Sequence, residues 1–186
     1  MTVAEVTKDT EVRMGKTIDA LHHHLNTVRT GRATPALVED VKVDYYGTTM
    51  PLNQLASISV PESRLIVIQP WDKGSMGPIE RAIINSDVGL TPNNDGQVIR
   101  LNIPPLTEER RKQMVKIVHG HVEDAKVSIR NIRRDAMAAL KSLTNKKEIS
   151  EDDERRAQEQ LEAITKKFID ETDTIGKAKE HEVLEV

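Results

Sequence analysis

The segment Ile129-Arg130-Asn131-Ile132-Arg133-Arg134-Asp135-Ala136 puts three guanidinium groups within five residues. Guanidinium is planar, permanently charged and bidentate towards phosphate, so arginines fixed on a stiff rod suit recognition of a nucleic-acid backbone. At helical spacing Ile129, Ile132 and Ala136 form one apolar seam. Arg130 and Arg134 then project away from it and Arg133 lies at its flank, which leaves the guanidinium groups for a partner. Helical steps from these arginines pass through Lys112, Lys116, His119, Lys126, Arg130 and Arg133, interrupted only by Glu123. A charge run ordinarily just solvates a helix. The length and near-uniform sign of this stripe argue for a phosphate partner instead.

Other candidate chemistry is weaker. Gly15-Lys16-Thr17 matches the end of a phosphate-binding loop, but Thr10 stands where the upstream glycine belongs and the segment carries a helical seam. His22-His23-His24 are consecutive, so on a helix they point about 100° apart and converge poorly on one metal ion. No nucleophile and base are paired, and Asp152-Asp153 reads as helix capping. With no cysteine, disulfides, thiol catalysis and cysteine zinc sites are excluded.

Net charge is −3 over 186 residues, but it is unevenly distributed. Residues 106–147 hold eleven Lys/Arg against five Asp/Glu, whereas residues 148–186 hold six against thirteen. The basic segment and its acidic neighbour can pair in part and still leave an outer basic stripe exposed. Trp71, Phe168, Tyr45 and Tyr46 are the only aromatic residues, too few for a base-stacking platform, so backbone and shape recognition fits better. No run approaches the roughly 18 apolar residues of a membrane span. Met1-Thr2-Val3-Ala4-Glu5-Val6 lacks the features of a signal or transit peptide, and a soluble cytoplasmic monomer is expected.

Three heptad-bearing segments must position the stripe. Met14, Ile18, Leu21, Leu25 and Val28 alternate four and three apart and stop before Gly31. A long helix is expected after Pro104-Pro105, with Thr107 as N-cap and a seam of Val118, Val122, Ala125, Ile129, Ile132, Ala136, Ala139 and Leu143. A turn at Asn145-Lys146-Lys147 leads to Ser150-Glu151-Asp152-Asp153, a capping box, and to a seam of Ala157, Leu161, Ile164, Phe168, Thr172 and Ile175. Residues 1–30 and 105–186 are thus expected to form a three-helix bundle, discontinuous in sequence, with an α/β domain inserted at 31–104.

Within the insertion, Val41, Val43 and Tyr45 alternate with Lys42 and Asp44, and Gly47 marks a turn. Leu65-Ile66-Val67-Ile68 reads as a buried strand, Pro78 to Ile84 as a short helix, and Pro92-Asn93-Asn94-Asp95-Gly96 as a turn before a strand at Val98 to Leu101. Residues 32–104 carry six Lys/Arg against eight Asp/Glu, a poor nucleic-acid surface. Two crossings, at Gly31 and at Pro104-Pro105, join insertion to bundle, and they can serve as a hinge or as rigid corners.

In order along the chain stand Arg29-Thr30-Gly31-Arg32-Ala33, Asp44-Tyr45-Tyr46-Gly47, Gln54-Leu55-Ala56-Ser57, Pro104 to Lys112 and Arg130 to Ala136. Together they resemble the ribosome recycling factor family over essentially the full length. The resemblance implies an α+β, L-shaped, tRNA-like molecule with an elongated three-helix bundle and a small β/α/β domain. It also implies a non-enzymatic factor without a cofactor of its own. Such a factor binds the bacterial post-termination ribosome and, with elongation factor G and the GTP which that partner uses, splits it into subunits. By the same resemblance Arg29, Arg32, Arg130 and Arg133 would contact large-subunit ribosomal RNA, with Lys112, Lys116, Lys126 and Arg134 in support. Arg134 has a second reading, as the partner of an acid on the neighbouring helix. A structural adaptor would need no such cationic stripe, and a ribosome-bound dormancy protein would hold the subunits together instead of separating them.

Overall fold

In the computed structural model, which describes residues 1–28 and 30–185, the fold is α+β with long helices and a small sheet region. The chain divides into two compact units, Met1–Val28 with Lys112–Val186, and Arg29–Arg111.

The larger unit is built from α1 (Val3–Asn26), α3 (Glu108–Asn145) and α4 (Glu151–Leu184). Each helix start has a chemical cause. Thr2 and Glu5 form a reciprocal capping box on α1, Ser150 and Asp153 form another on α4, and Thr107 Oγ1 accepts the Arg110 N–H at 3.1 Å on α3. The helices share their seams: Val6 packs with Leu140, Leu143, Ala157 and Leu161, and farther along Met14 and Ile18 pack with Ile129, Ile132, Ile164 and Phe168. These contacts make α3 antiparallel to both α1 and α4. Three buried threonines interrupt the seams, Thr10, Thr165 and Thr172, and each satisfies its hydroxyl on a carbonyl of its own helix. On α3 the position expected of Ala139 is taken by fully buried Leu140, while Ala139 is only partly buried. A strict heptad drifts on a straight helix of 3.6 residues per turn, and the leucine follows that drift.

The α3–α4 connection is a Schellman motif. Glu148 N–H donates to the Leu143 carbonyl, Lys147 N–H to that of Thr144, and Lys147 takes the left-handed conformation at φ 60°. Farther along, α4 approaches α3 closely at Gly176, where a Cβ would lie 2.6 Å from Val122 Cγ2.

The smaller unit has two sheets. Strands β1 (Lys42–Tyr45) and β2 (Thr48–Pro51) form a hairpin whose two turn residues, Tyr46 and Gly47, both have positive φ, the type I′ geometry. Strands β3 (Ala56–Glu62), β4 (Leu65–Pro70), β5 (Pro92–Asn94) and β6 (Ile99–Asn102) form an antiparallel sheet of order β3-β4-β6-β5. Helix α2 (Met76–Asn85) contributes Ile79 and Ile83 to a core with Val38, Val43, Leu52, Ile66, Ile68, Ile99 and Leu101. Two expectations change here. Strand β4 is buried on one face only, with Ile66 and Ile68 inside and Leu65 and Val67 half-buried, as in an antiparallel sheet with a single core face. Pro92 to Asn94 is an edge strand and the turn begins at Asp95. The outer edge tolerates a proline because no neighbouring strand needs its missing N–H.

Candidate nucleic-acid interface

The 38-residue α3 carries the basic stripe on a rod of about 57 Å. Measured around the helix from Ile129 at about 100° per residue, its basic side chains fall into two rows. Lys126, His119 and Arg133 lie roughly 40–80° from the seam, and Lys112, Lys116, Arg130, Arg134 and Lys141 roughly 100–140°.

The inner row is paired with α4. Lys126 Nζ lies 2.6 Å from Asp173, Arg133 Nη1 2.7 Å from Glu162 and His119 Nε2 3.2 Å from Glu180. Lys126 also approaches Glu123 at 3.8 Å and keeps only 15% of its side chain exposed. The acidic segment therefore neutralises one row of the basic one. The outer row faces solvent: Lys116, Arg130, Arg134 and Lys141 are exposed, and their side chains make no hydrogen bond or ion pair with another described residue. Lys112 is exposed at the same angle.

The acid pairing considered for Arg134 falls on Arg133 instead. Arg133, taken as available, is the one held by an acid of the neighbouring helix, and Arg134 has no such partner among the described residues. The cause is angular. Arg133 lies roughly 40° from the seam and so reaches α4, whereas Arg134 lies roughly 140° away. Lys141 was missed by sequence reasoning, although its spacing of seven from Arg134 was a usable signal. On the far side, Arg13 of α1 pairs with Asp135 at 3.0 Å, so the acid within the arginine cluster is turned away from the outer row.

Arg29 lies outside the described residues. Arg32 belongs to the smaller unit, exposed, with its N–H 3.4 Å from Thr30 Oγ1. Beside it Gly31 has φ +78°. A Cβ there would meet Leu106 only at an ordinary 3.7 Å, so backbone conformation is what calls for glycine. Pro104 and Pro105 are exposed in the irregular link between β6 and α3.

The weaker motifs resolve simply. Gly15-Lys16-Thr17 lies inside α1, where no phosphate loop can form. His23 and His24 occupy the last turn of α1, and the His24 ring stacks on His121 with centroids 5.2 Å apart. Among the described residues no group of three or more His, Cys, Asp or Glu is placed to hold a metal. No helix among them is long and apolar enough to cross a membrane.

The family described as ribosome recycling factor matches residues 21–184. The chain is 54% identical over 184 residues to the ribosome-recycling factors of Thermomicrobium roseum and Carboxydothermus hydrogenoformans, in each case covering 99% of this chain and 100% of the relative. That of Brevibacillus brevis is 55% identical over 181 residues, 97% of this chain and 98% of the relative. The solution structure of a ribosome recycling factor superposes with a TM-score of 0.80 at 41% identity, covering 100% of this chain and 99% of that one. A second structure is that of the T. thermophilus ribosome recycling factor, bound with E. coli elongation factor G to the E. coli post-termination complex. It superposes with a TM-score of 0.69 at 45% identity, covering 100% of both chains.

Proposed function

The chain belongs to the ribosome recycling factor family, and on that premise we propose that it binds the post-termination ribosome through large-subunit ribosomal RNA and, with elongation factor G and GTP, promotes its dissociation into subunits. The observation that carries the RNA part is the outer row of α3, where Lys116, Arg130, Arg134 and Lys141 have no partner among the described residues in a chain of net charge −3. Cations that an acidic chain leaves unneutralised on one helix face suit a polyanion, and Arg130 and Arg134 have the fork geometry that phosphate takes. Arg29 and Arg32, next to the crossing at Gly31, would extend the contact, with Lys112 at the end of the row and Lys126 and Arg133 beside it. Elongation factor G, which shares the post-termination complex with the T. thermophilus factor, would supply the GTP hydrolysis. This chain would act as a monomer in the cytoplasm, as a non-catalytic factor without a cofactor.

In this reading the bundle is a rigid docking body, because its backbone bonds are internal and its seams are continuous. The crossings at Gly31 and Pro104-Pro105 act as a hinge through which the translocase moves the smaller unit against an intersubunit contact. Light scattering by post-termination ribosomes, with this protein, a matched elongation factor G and GTP, tests the proposal. Splitting should require both proteins and GTP and should weaken for Arg130→Ala. Ribosomes that bind the folded protein and stay joined would sink it and favour a dormancy factor.

A further inference from the structure

Arg133 differs from the other inner-row cations in how it is held. Lys126 is largely buried between two acids, Glu123 and Asp173, and His119 is an imidazole, not a permanent cation. Arg133 is permanently charged, 34% exposed, and engaged through a single nitrogen, Nη1, by one oxygen of Glu162, itself 56% exposed. The pair lies in an open groove of about 490 Å³ between α3 and α4, where Arg155 and Glu159 also line the wall. Arg155 pairs only loosely, at 3.6 Å, with Asp152 of its own helix. A one-point, solvent-exposed pair of this kind adds little to stability, since desolvation is small and water competes for both charges. A guanidinium has five N–H donors, so about four of those on Arg133 remain for a ligand entering the groove.

We propose that Glu162 is a displaceable counter-ion which holds Arg133 in the groove until a ribosomal RNA phosphate replaces it. The inference rests on the RNA-binding role proposed above for Arg133. A phosphate that takes the guanidinium bidentately brings a negative charge to the place of the Glu162 carboxylate, and both anions cannot occupy it without repulsion. Docking therefore expels Glu162 into solvent. The carboxylate opposes binding, and its return to Arg133 favours release. In a factor that must leave the ribosome after each round, such a brake limits residence without altering the fold. Glu162 is a positioning residue here, acting only through Arg133.

Equilibrium binding of the full-length protein to purified large ribosomal subunits over a KCl series at fixed magnesium tests this. Four proteins are compared: wild type, Glu162→Gln, Arg133→Ala and the double variant, each first shown by circular dichroism to be folded. Removing one like charge next to the phosphate should tighten binding by Glu162→Gln about fivefold at low salt. The magnitude of its log–log salt slope should rise by about one, because no carboxylate then recaptures a cation on docking. In the Arg133→Ala background both changes should vanish. Weaker or unchanged binding by Glu162→Gln, with Arg133→Ala clearly impaired, would overturn the brake and leave the RNA role of Arg133 standing. An equal gain in both backgrounds would reduce the effect to bulk charge and also overturn it. Wild-type binding by Arg133→Ala would remove the RNA role and the inference together.

Discussion

Arg133 and Arg134 are neighbours in sequence with opposite fates, because one step along a helix turns a side chain by about 100°. Sequence spacing ordered them correctly around the seam, but which acids α4 would present to that flank depended on the register of α4. Another residue with a readable environment is Asp95. Its Oδ1 accepts the N–H groups of Gln97 and Val98, at 2.9 and 2.8 Å, and its other oxygen pairs with Arg100. The backbone donors, with Arg100 behind them, lower its pKa to about 2. A carboxylate with a depressed folded-state pKa contributes stability that is complete above its unfolded value, about 4, and is lost as pH falls through about 2. Asp95→Asn should therefore be less stable than wild type at pH 7, with the gap closing towards pH 2. Thermal melts at both pH values give the answer, and a constant gap would refute the assignment.

At the scale of the elements, two backbone positions set how α3 and α4 meet. Gly176 sits mid-helix, where alanine is ordinarily favoured by about 1 kcal/mol, but its Cβ would lie 2.6 Å from Val122 Cγ2. Overpacking of this kind costs about 1–3 kcal/mol, so Gly176→Ala should destabilise the bundle in urea titration by up to about 2 kcal/mol net. In a Val122→Ala background the same change should become neutral or stabilising, and failure of that rescue would exclude the steric cause. Lys147 occupies the left-handed position of the Schellman motif, where glycine is the usual residue. Lys147→Gly should raise stability by about 0.5–1 kcal/mol, because relief of the left-handed penalty exceeds the entropic cost of glycine in the unfolded chain. A lower melting temperature would contradict this. A glycine within a helical pattern hints at close packing in any sequence, but its partner, Val122, lies on another helix and cannot be read from spacing.

At the scale of the molecule, net charge −3 conceals a basic segment and an acidic one, and the larger unit brings them together as α3 against α4. Two ion pairs, Lys126–Asp173 and Arg133–Glu162, and the His119–Glu180 contact occupy the inner row. What remains for a polyanion is the outer row, in which Lys116, Arg130, Arg134 and Lys141 have no partner among the described residues, so ribosome binding should fall steeply with salt. Three to five phosphates neutralised correspond to a log–log slope of about −2 to −4. Titration of ribosome binding between low and moderate salt measures it, and a slope near zero would favour an adaptor that docks through apolar surface.

The long helices, their seams apart from the Ala139 position that Leu140 takes, the Ser150–Asp153 and Thr107 starts, the turn at Asn145 to Lys147 and the basic character of α3 were legible in the chain alone. These follow from the 3.6-residue period and from side chains acting within one turn of their own backbone. The same local signals misplaced β5, because whether Pro92 to Asn94 pairs as a strand depends on β6, which supplies the partner backbone. Tertiary packing was needed to establish which cations of α3 are paired, why residue 176 is glycine and which acid meets Arg133. Each depends on the angle and register at which a second helix arrives, and that is fixed by the packing of the shared core, not by any one segment.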